Sequence, residues 1–163
     1  MFRCRQPTVG WPNASPRRAP LRAAGSFLML VLPWTASAVD TLDALLARGV
    51  AQFERREFDA ALASFDAAAR LAPGDERPAL WSGRAAGRLA EQSSPIIAFR
   101  LARRTLQDFE RAYALNPRNL DVIDDLIEFH DKAPRFMGGS PSMAEQLRAR
   151  RAALQAQTDT ATR

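Results

Sequence analysis

The sequence predicts an all-α protein built as an antiparallel array of helix hairpins, with about six helices. Three observations support this prediction. Apolar residues recur at the spacing of one helical face through most of residues 41–156. Two segments of this region repeat the same order of residue types. Each of the two ends in a proline that cannot continue a helix, followed by a residue suited to cap the next one.

The first 38 residues have the order of a secretory signal peptide. Residues 1–22 carry five arginines and no acid, an apolar run follows over 23–34, and Ala36 and Ala38 are small residues at a cleavage site. The apolar run is shorter than the roughly 20 residues that cross a bilayer. We therefore predict a cleaved signal peptide, and a mature chain that is periplasmic or secreted and has no stable membrane anchor. The alternative is a basic tail before a buried helix.

Charge and cysteine content exclude several classes of function. The full chain has a formal charge of +5, but all the excess lies in residues 1–22, and residues 39–163 hold 18 basic and 18 acidic side chains. A neutral mature chain argues against nucleic-acid binding. Cys4 is the one cysteine and His130 the one histidine, so no disulfide framework, zinc pair or nucleophile–base arrangement can be assembled. We therefore expect that the chain is not an enzyme and that it binds no metal ion and no cofactor.

The helix boundaries follow from breakers and capping residues. Ser94 and Pro95 form a cap and a first-turn proline, so the fourth helix is expected to start early and to run long. Asp75 and Asn119 follow the helix-ending prolines and are expected to cap the third and fifth helices. The predicted helices lie near residues 41–55, 58–71, 78–91, 95–115, 119–132 and 142–156, which leaves 157–163 as a disordered tail.

The repeated segments, 62–75 and 106–119, are offset by 44 residues. Ala61, Phe65 and Pro73, with Gly49 twelve residues before Ala61, resemble the tetratricopeptide repeat, whose small, aromatic and proline positions have this order. The second copy is similar, with Gly83, Thr105, Phe109 and Pro117, and about ten extra residues separate its helices. The third copy is looser, since Arg148 stands in place of the phenylalanine. The resemblance covers residues 41–154 and predicts a helical solenoid.

The resemblance implies that the first helix of each hairpin lines a concave groove that binds a partner. The residues that match groove positions are Leu46, Val50, Phe53, Arg77, Trp81, Arg84, Arg88, Asp124 and Glu128. The apolar members would supply affinity and the charged rows orientation, because guanidinium groups pair with carboxylates and stack on aromatic rings. The alternative is that the arginine row pairs with the acidic row of the neighbouring helix, and that Trp81 only packs. His130 is expected to be a packed, hydrogen-bonded core residue.

These observations predict a non-enzymatic, exported scaffold of the tetratricopeptide type, which binds a protein or peptide of the cell envelope through its groove. The alternative is a periplasmic small-ligand binder or transporter accessory, in which the long second hairpin and the loop with Gly138 and Gly139 would wall a pocket.

Overall fold

A computed structural model describes residues 41–161. The predicted signal peptide and residues 162–163 lie outside the described residues. The described chain forms six α-helices and one short 3-10 helix, Arg135–Met137, and contains no strand, so the prediction of an all-α protein is confirmed. The helices are α1 Leu42–Glu54, α2 Phe58–Leu71, α3 Glu76–Glu91, α4 Pro95–Leu115, α5 Leu120–Lys132 and α6 Pro141–Ala161.

Polar side chains cap the first helix of each predicted repeat unit where a free backbone N–H needs an acceptor. The Thr41 hydroxyl accepts from the Ala44 N–H at 3.2 Å, and the Asn119 side chain accepts from the Asp121 N–H at 3.0 Å. The Asp75 carboxylate accepts from the Arg77 N–H at 2.8 Å. Because Asp75 is the cap, α3 begins at Glu76, two residues before its expected start.

The last helix is longer than expected. It continues past residue 156, the predicted end, as far as Ala161. No glycine or proline follows residue 156 to stop it, and the Thr160 hydroxyl donates to the Ala156 carbonyl at 3.1 Å. Residues 155–160 are exposed.

Consecutive helices pack against one another in chain order from α1 to α6. The short connections after α1, α3 and α5 join packed neighbours and so make three hairpins. The interior has two apolar clusters: one lies among α1, α2 and α3 and includes Leu45, Leu62 and Phe65, and the other lies among α3, α4, α5 and α6 and includes Phe109, Ile123 and Leu147. The solenoid arrangement of the tetratricopeptide repeat stays a prediction.

Two phenylalanine rings lie directly on glycines of the preceding helix. A Cβ on Gly49 would overlap the ring of Phe65, and a Cβ on Gly83 would overlap the ring of Phe109. The absence of a side chain therefore lets each ring approach the neighbouring backbone closely. The two pairs occupy matching places in the first and second hairpins, which is the reason the sequence repeats these residue types.

The third hairpin is joined differently. Arg148, which replaces the expected phenylalanine, forms an ion pair with Asp131, and Arg151 forms one with Asp124. Leu147 and Leu154 of α6 complete the apolar contact. The hairpin that ends the described array therefore holds its last helix with charged pairs on the outside and a short apolar stripe inside.

Candidate functional site

A pocket of about 460 Å³ opens beside α3. Trp81, Arg84 and Gly87 line it from α3, and α4 contributes Phe109. The second half of α5 forms the facing wall, where Asp125 is one of the lining residues. This volume lies in the range of pockets that take small ligands or single side chains of a partner, roughly 300–1,000 Å³.

Aromatic rings build the end of the pocket nearest α1. The ring of Trp81 lies 5.7 Å from that of Phe53, centre to centre, in an edge-on contact. It is also stacked against Phe65, with 6.0 Å between ring centres. Such contacts fix the indole from two directions, so Trp81 presents a rigid apolar surface to the pocket.

The pocket wall at Gly87 of α3 can accept an added Cβ without a steric clash. A Cβ on Gly87 would have the Thr105 side chain as its nearest neighbour, at 3.7 Å, which is ordinary van der Waals contact. By contrast, Gly83 is already filled by the Phe109 ring. Gly87 is therefore the position on α3 from which an added side chain would enter the pocket without disturbing the core.

Charged side chains around the pocket are arranged in pairs. The Arg84 Nε donates to the Asp125 carboxylate at 2.5 Å, joining α3 to α5. Lys132 pairs with Glu128 at 2.6 Å, and Arg88 pairs with Glu91 at 3.2 Å. All six of these side chains line the pocket. Each positive group thus has a carboxylate partner, and the charged lining is balanced.

The Arg84–Asp125 pair is the most enclosed of the three, since both side chains are mostly buried. The Arg84 guanidinium also lies 5.0 Å from the centre of the Trp81 ring, a cation–π contact. Burial raises the pKa of Asp125 above its usual value, and the hydrogen bond from Arg84 opposes that rise. Trp81, Arg84 and Asp125 therefore form one connected group across the pocket.

Of the nine residues predicted to line a groove, five line this pocket: Phe53, Trp81, Arg84, Arg88 and Glu128. The others lie elsewhere. Leu46 is buried in the first apolar cluster, and Val50 packs against that cluster. Arg77 forms ion pairs with Asp75 and Asp43 at the start of α3. Asp124 turns to α6, where Arg151 pairs with it.

The alternative interpretation of the arginine row is confirmed for one pair only. Arg84 contacts an acid of the neighbouring row, Asp125, whereas Arg88 pairs within its own helix. Trp81 packs as that interpretation expected, yet it also lines the pocket. The expected burial of His130 is confirmed, but its Nδ1 atom has no hydrogen-bond partner among the described residues.

Sequence reasoning missed several lining residues. Gly87, Phe129 and Met137 all line the pocket, and none was a candidate. Phe129 belongs to the apolar stripe of α5. The sequence of that stripe does not show which of its side chains lines the pocket and which is buried in the core. Met137 lies in the 3-10 helix, whose position depends on how the loop after α5 folds back. The one sequence feature that could have indicated a pocket here is the absence of a side chain at Gly87.

A second polar network lies on the other side of α3 and ties three helices together. Arg104 of α4 pairs with Asp66 of α2 at 2.6 Å and with Asp108 at 3.3 Å. The Ser82 hydroxyl donates to Asp108 at 2.8 Å. Burial raises the pKa of Asp108, and the bonds from Ser82 and Arg104 oppose that rise. These groups satisfy one another, and we assign them a structural role.

Comparison of the chain with models of protein families, with curated proteins and with solved structures finds no match. Within residues 41–161 there is no cluster of three or more side chains that could hold a metal ion. The same residues include no helix with the length and apolar character needed to cross a membrane.

Proposed function

We propose that this chain is a non-enzymatic helical repeat module, of the tetratricopeptide type, that binds a peptide segment of another protein in the pocket between α3 and α5. The observation that carries the proposal is the open, rigid pocket lined by Trp81 and closed on one side by the Arg84–Asp125 pair.

The lining favours a peptide over a highly charged ligand. An apolar wall of Trp81, Phe109 and Phe129 suits one apolar side chain of a partner. The balanced charges around it offer both donors and acceptors, which match the N–H and C=O groups of a peptide backbone. A ligand of strong net charge would have to break at least one existing ion pair.

The repeat resemblance supports the same proposal. In both of the clearer repeat copies the phenylalanine ring lies on the glycine of the preceding helix, and consecutive helices pack against one another in chain order. In repeat arrays of this kind each hairpin packs on its neighbours, and the surface between them serves binding. We place the partner in the cell envelope because residues 1–38 have the order of a signal peptide.

The test uses short peptides selected from a displayed random library against the full chain, with their dissociation constants measured by calorimetry. The variant Gly87→Leu should weaken binding at least about tenfold, because its side chain would enter the pocket. The matched control is Gly74→Leu, which adds the same side chain where a Cβ has no neighbour within 4 Å. Equal affinity in both variants would reject the pocket as the binding site.

A second candidate is a small-ligand binder, favoured by the pocket volume of about 460 Å³. Small organic acids in a thermal-shift screen distinguish the two, since a ligand that binds only the folded state must raise the melting temperature. A rise in wild type that disappears in Gly87→Leu would favour this candidate; no rise with any acid would remove it.

A further inference from the structure

Two large apolar side chains project from the surface where α4 begins and where the loop before α6 folds against it. Ile96 is 81% exposed and Phe136 is 71% exposed, the highest values for large apolar residues among those described. Phe136 is exposed although it is in contact with another ring. The Phe136 ring is stacked on Phe99 of α4, with 6.4 Å between ring centres.

These residues share one face with three arginines. At about 100° per residue, Ile96, Phe99, Arg100 and Arg103 lie within an arc of roughly 100° on α4. The stacking of Phe136 on Phe99 places the 3-10 helix, Arg135–Met137, beside the same arc. We call the resulting surface the Ile96 face: it consists of Ile96, Phe99, Arg100, Arg103, Arg135 and Phe136.

Among the described residues, the arginine side chains of the Ile96 face have no acidic partner. Arg100, Arg103 and Arg135 are exposed, and none of their guanidinium groups forms an ion pair or hydrogen bond within residues 41–161. Residues 95–107 and 133–144 contain no Asp or Glu. The pocket shows the opposite pattern, with every positive side chain paired. The Ile96 face is therefore a positive surface with apolar side chains projecting from it.

We propose that the Ile96 face binds the surface of a membrane that contains anionic lipids. Projecting Ile and Phe side chains can enter the interfacial region of a bilayer, which adapts its shape to them, whereas a protein partner would need two matching cavities. Unpaired arginines beside them attract and hydrogen-bond phosphate headgroups. This binding is separate from the pocket and holds the module at the membrane without crossing it.

The experiment places an environment-sensitive fluorophore beside the face in the full chain. Cys4→Ser removes the native thiol, and Ser94→Cys provides the label site, since Ser94 is exposed and its side chain makes no capping bond. Vesicles of equal parts phosphatidylglycerol and phosphatidylcholine should shift the emission to the blue, and pure phosphatidylcholine vesicles should not. A label at Gln155→Cys, on the exposed end of α6, should stay in water.

Variants separate this face from the basic N-terminal residues, which the full chain also carries. Two double variants test the face: Arg100→Glu with Arg103→Glu, and Ile96→Ser with Phe136→Ser. Each should raise the lipid concentration needed for half of the emission shift at least about tenfold. The matched charge control is Arg118→Glu with Arg150→Glu, two exposed arginines outside the face that form no ion pair among the described residues. It should retain the shift.

Three results would overturn the proposal. One is a label at residue 94 that stays in water while the chain sediments with anionic vesicles, because residues 1–40 alone would then hold the chain on the lipid. Another is an equal shift on the two kinds of vesicle. The third is a shift that survives both double variants of the Ile96 face.

Discussion

Phe65 and Phe109 occupy matching places in the first and second hairpins, yet their surroundings differ. Each ring lies on a glycine of the preceding helix, Gly49 or Gly83. Phe65 is fully buried, and Trp81 is stacked against it with 6.0 Å between ring centres. Phe109 is 5% exposed and borders the pocket. The same contact thus forms a sealed core in one hairpin and a pocket wall in the next.

The difference has a residue-level cause. Trp81 is the sixth residue after the helix cap Asp75, and Asp125 is the sixth residue after the helix cap Asn119. The second hairpin places the indole of Trp81 against Phe65 of the first, whereas the third hairpin has the short carboxylate of Asp125 at the matching position. Asp125 reaches back to Arg84 and leaves space in front of Phe109. The difference between Trp81 and Asp125 therefore accompanies a closed core at Phe65 and an open pocket at Phe109.

The largest expected loss of stability follows from removing the enclosed ring of Phe65. Phe65→Ala should lower the free energy of unfolding by about 3–5 kcal/mol, because the ring is fully enclosed and its removal leaves a closed cavity. Phe109→Ala should cost less, since one side of that ring already faces open space. Urea denaturation of both variants measures the difference. Equal losses would contradict the distinction between a sealed and an open site.

Added volume at the two glycines tests the same contrast. Gly49→Ala should destabilise by about 1–3 kcal/mol, since its Cβ overlaps Phe65 and Trp81 blocks the ring from moving away. Gly83→Ala should cost less because Phe109 can shift into the pocket. Gly87→Ala is the control and should stabilise by about 0.5–1 kcal/mol, the ordinary gain of alanine within a helix. Thermal melts measure these changes. A larger loss of stability for Gly83→Ala than for Gly49→Ala would show that the Phe109 ring cannot shift into the pocket.

The ion pairs at the pocket should differ with their burial. Arg84→Ala should cost about 1–3 kcal/mol, because it leaves the Asp125 carboxylate mostly buried without its donor. Arg88→Ala should change stability by less than about 0.5 kcal/mol, since its pair with Glu91 is exposed. Chemical denaturation at low and high salt would compare them. A larger loss for Arg88→Ala would mean that the enclosed pair is not a structural link.

The smallest expected effect is a difference in pH dependence between two carboxylates. Hydrogen bonding from Arg77 lowers the pKa of Asp75, so its contribution is present above the unfolded pKa and is lost as pH falls through the folded pKa. Burial raises the pKa of Asp125, so the folded state binds its proton more tightly than the unfolded state does. Stability from this residue therefore falls as pH rises between those two pKa values.

Asp75→Asn and Asp125→Asn isolate these contributions, and asparagine preserves the cap at residue 75. As pH rises, the stability of wild type relative to Asp75→Asn should increase below about pH 4, and its stability relative to Asp125→Asn should decrease above about pH 4. Unfolding by urea on both sides of that pH gives the two slopes. Slopes of the same sign would show that the two carboxylates do not differ as their surroundings require.

The sequence predicted the helices well because their ends depend on local chemistry. Proline, glycine and capping residues act within a few positions, and so most predicted boundaries lie within one or two residues of the structure. The repeat pattern also singled out Gly49, Phe65, Gly83 and Phe109, but it did not predict that each ring would lie on the glycine of its own hairpin. The end of α6 was missed because nothing in residues 157–161 stops a helix or requires one.

The pocket was predicted only in part because it depends on the rotation of neighbouring helices. Asp124 and Asp125 belong to the same acidic arc of α5, yet one faces α6 and the other faces α3. A helical wheel places both on the polar side and cannot state which neighbour each will meet. Matching repeat positions predicts Leu46 as a groove residue, but packing between α1 and the next helices buries it.

Hydrogen exchange with and without a selected peptide tests most directly whether the space left by Asp125 is the binding site. We expect slower exchange in residues 81–91 and 125–137, on the two sides of the pocket, and no change in residues 58–71, where Phe65 is sealed. Protection confined to α1 and α2, or to α6, would place the peptide elsewhere and reject the pocket as its site.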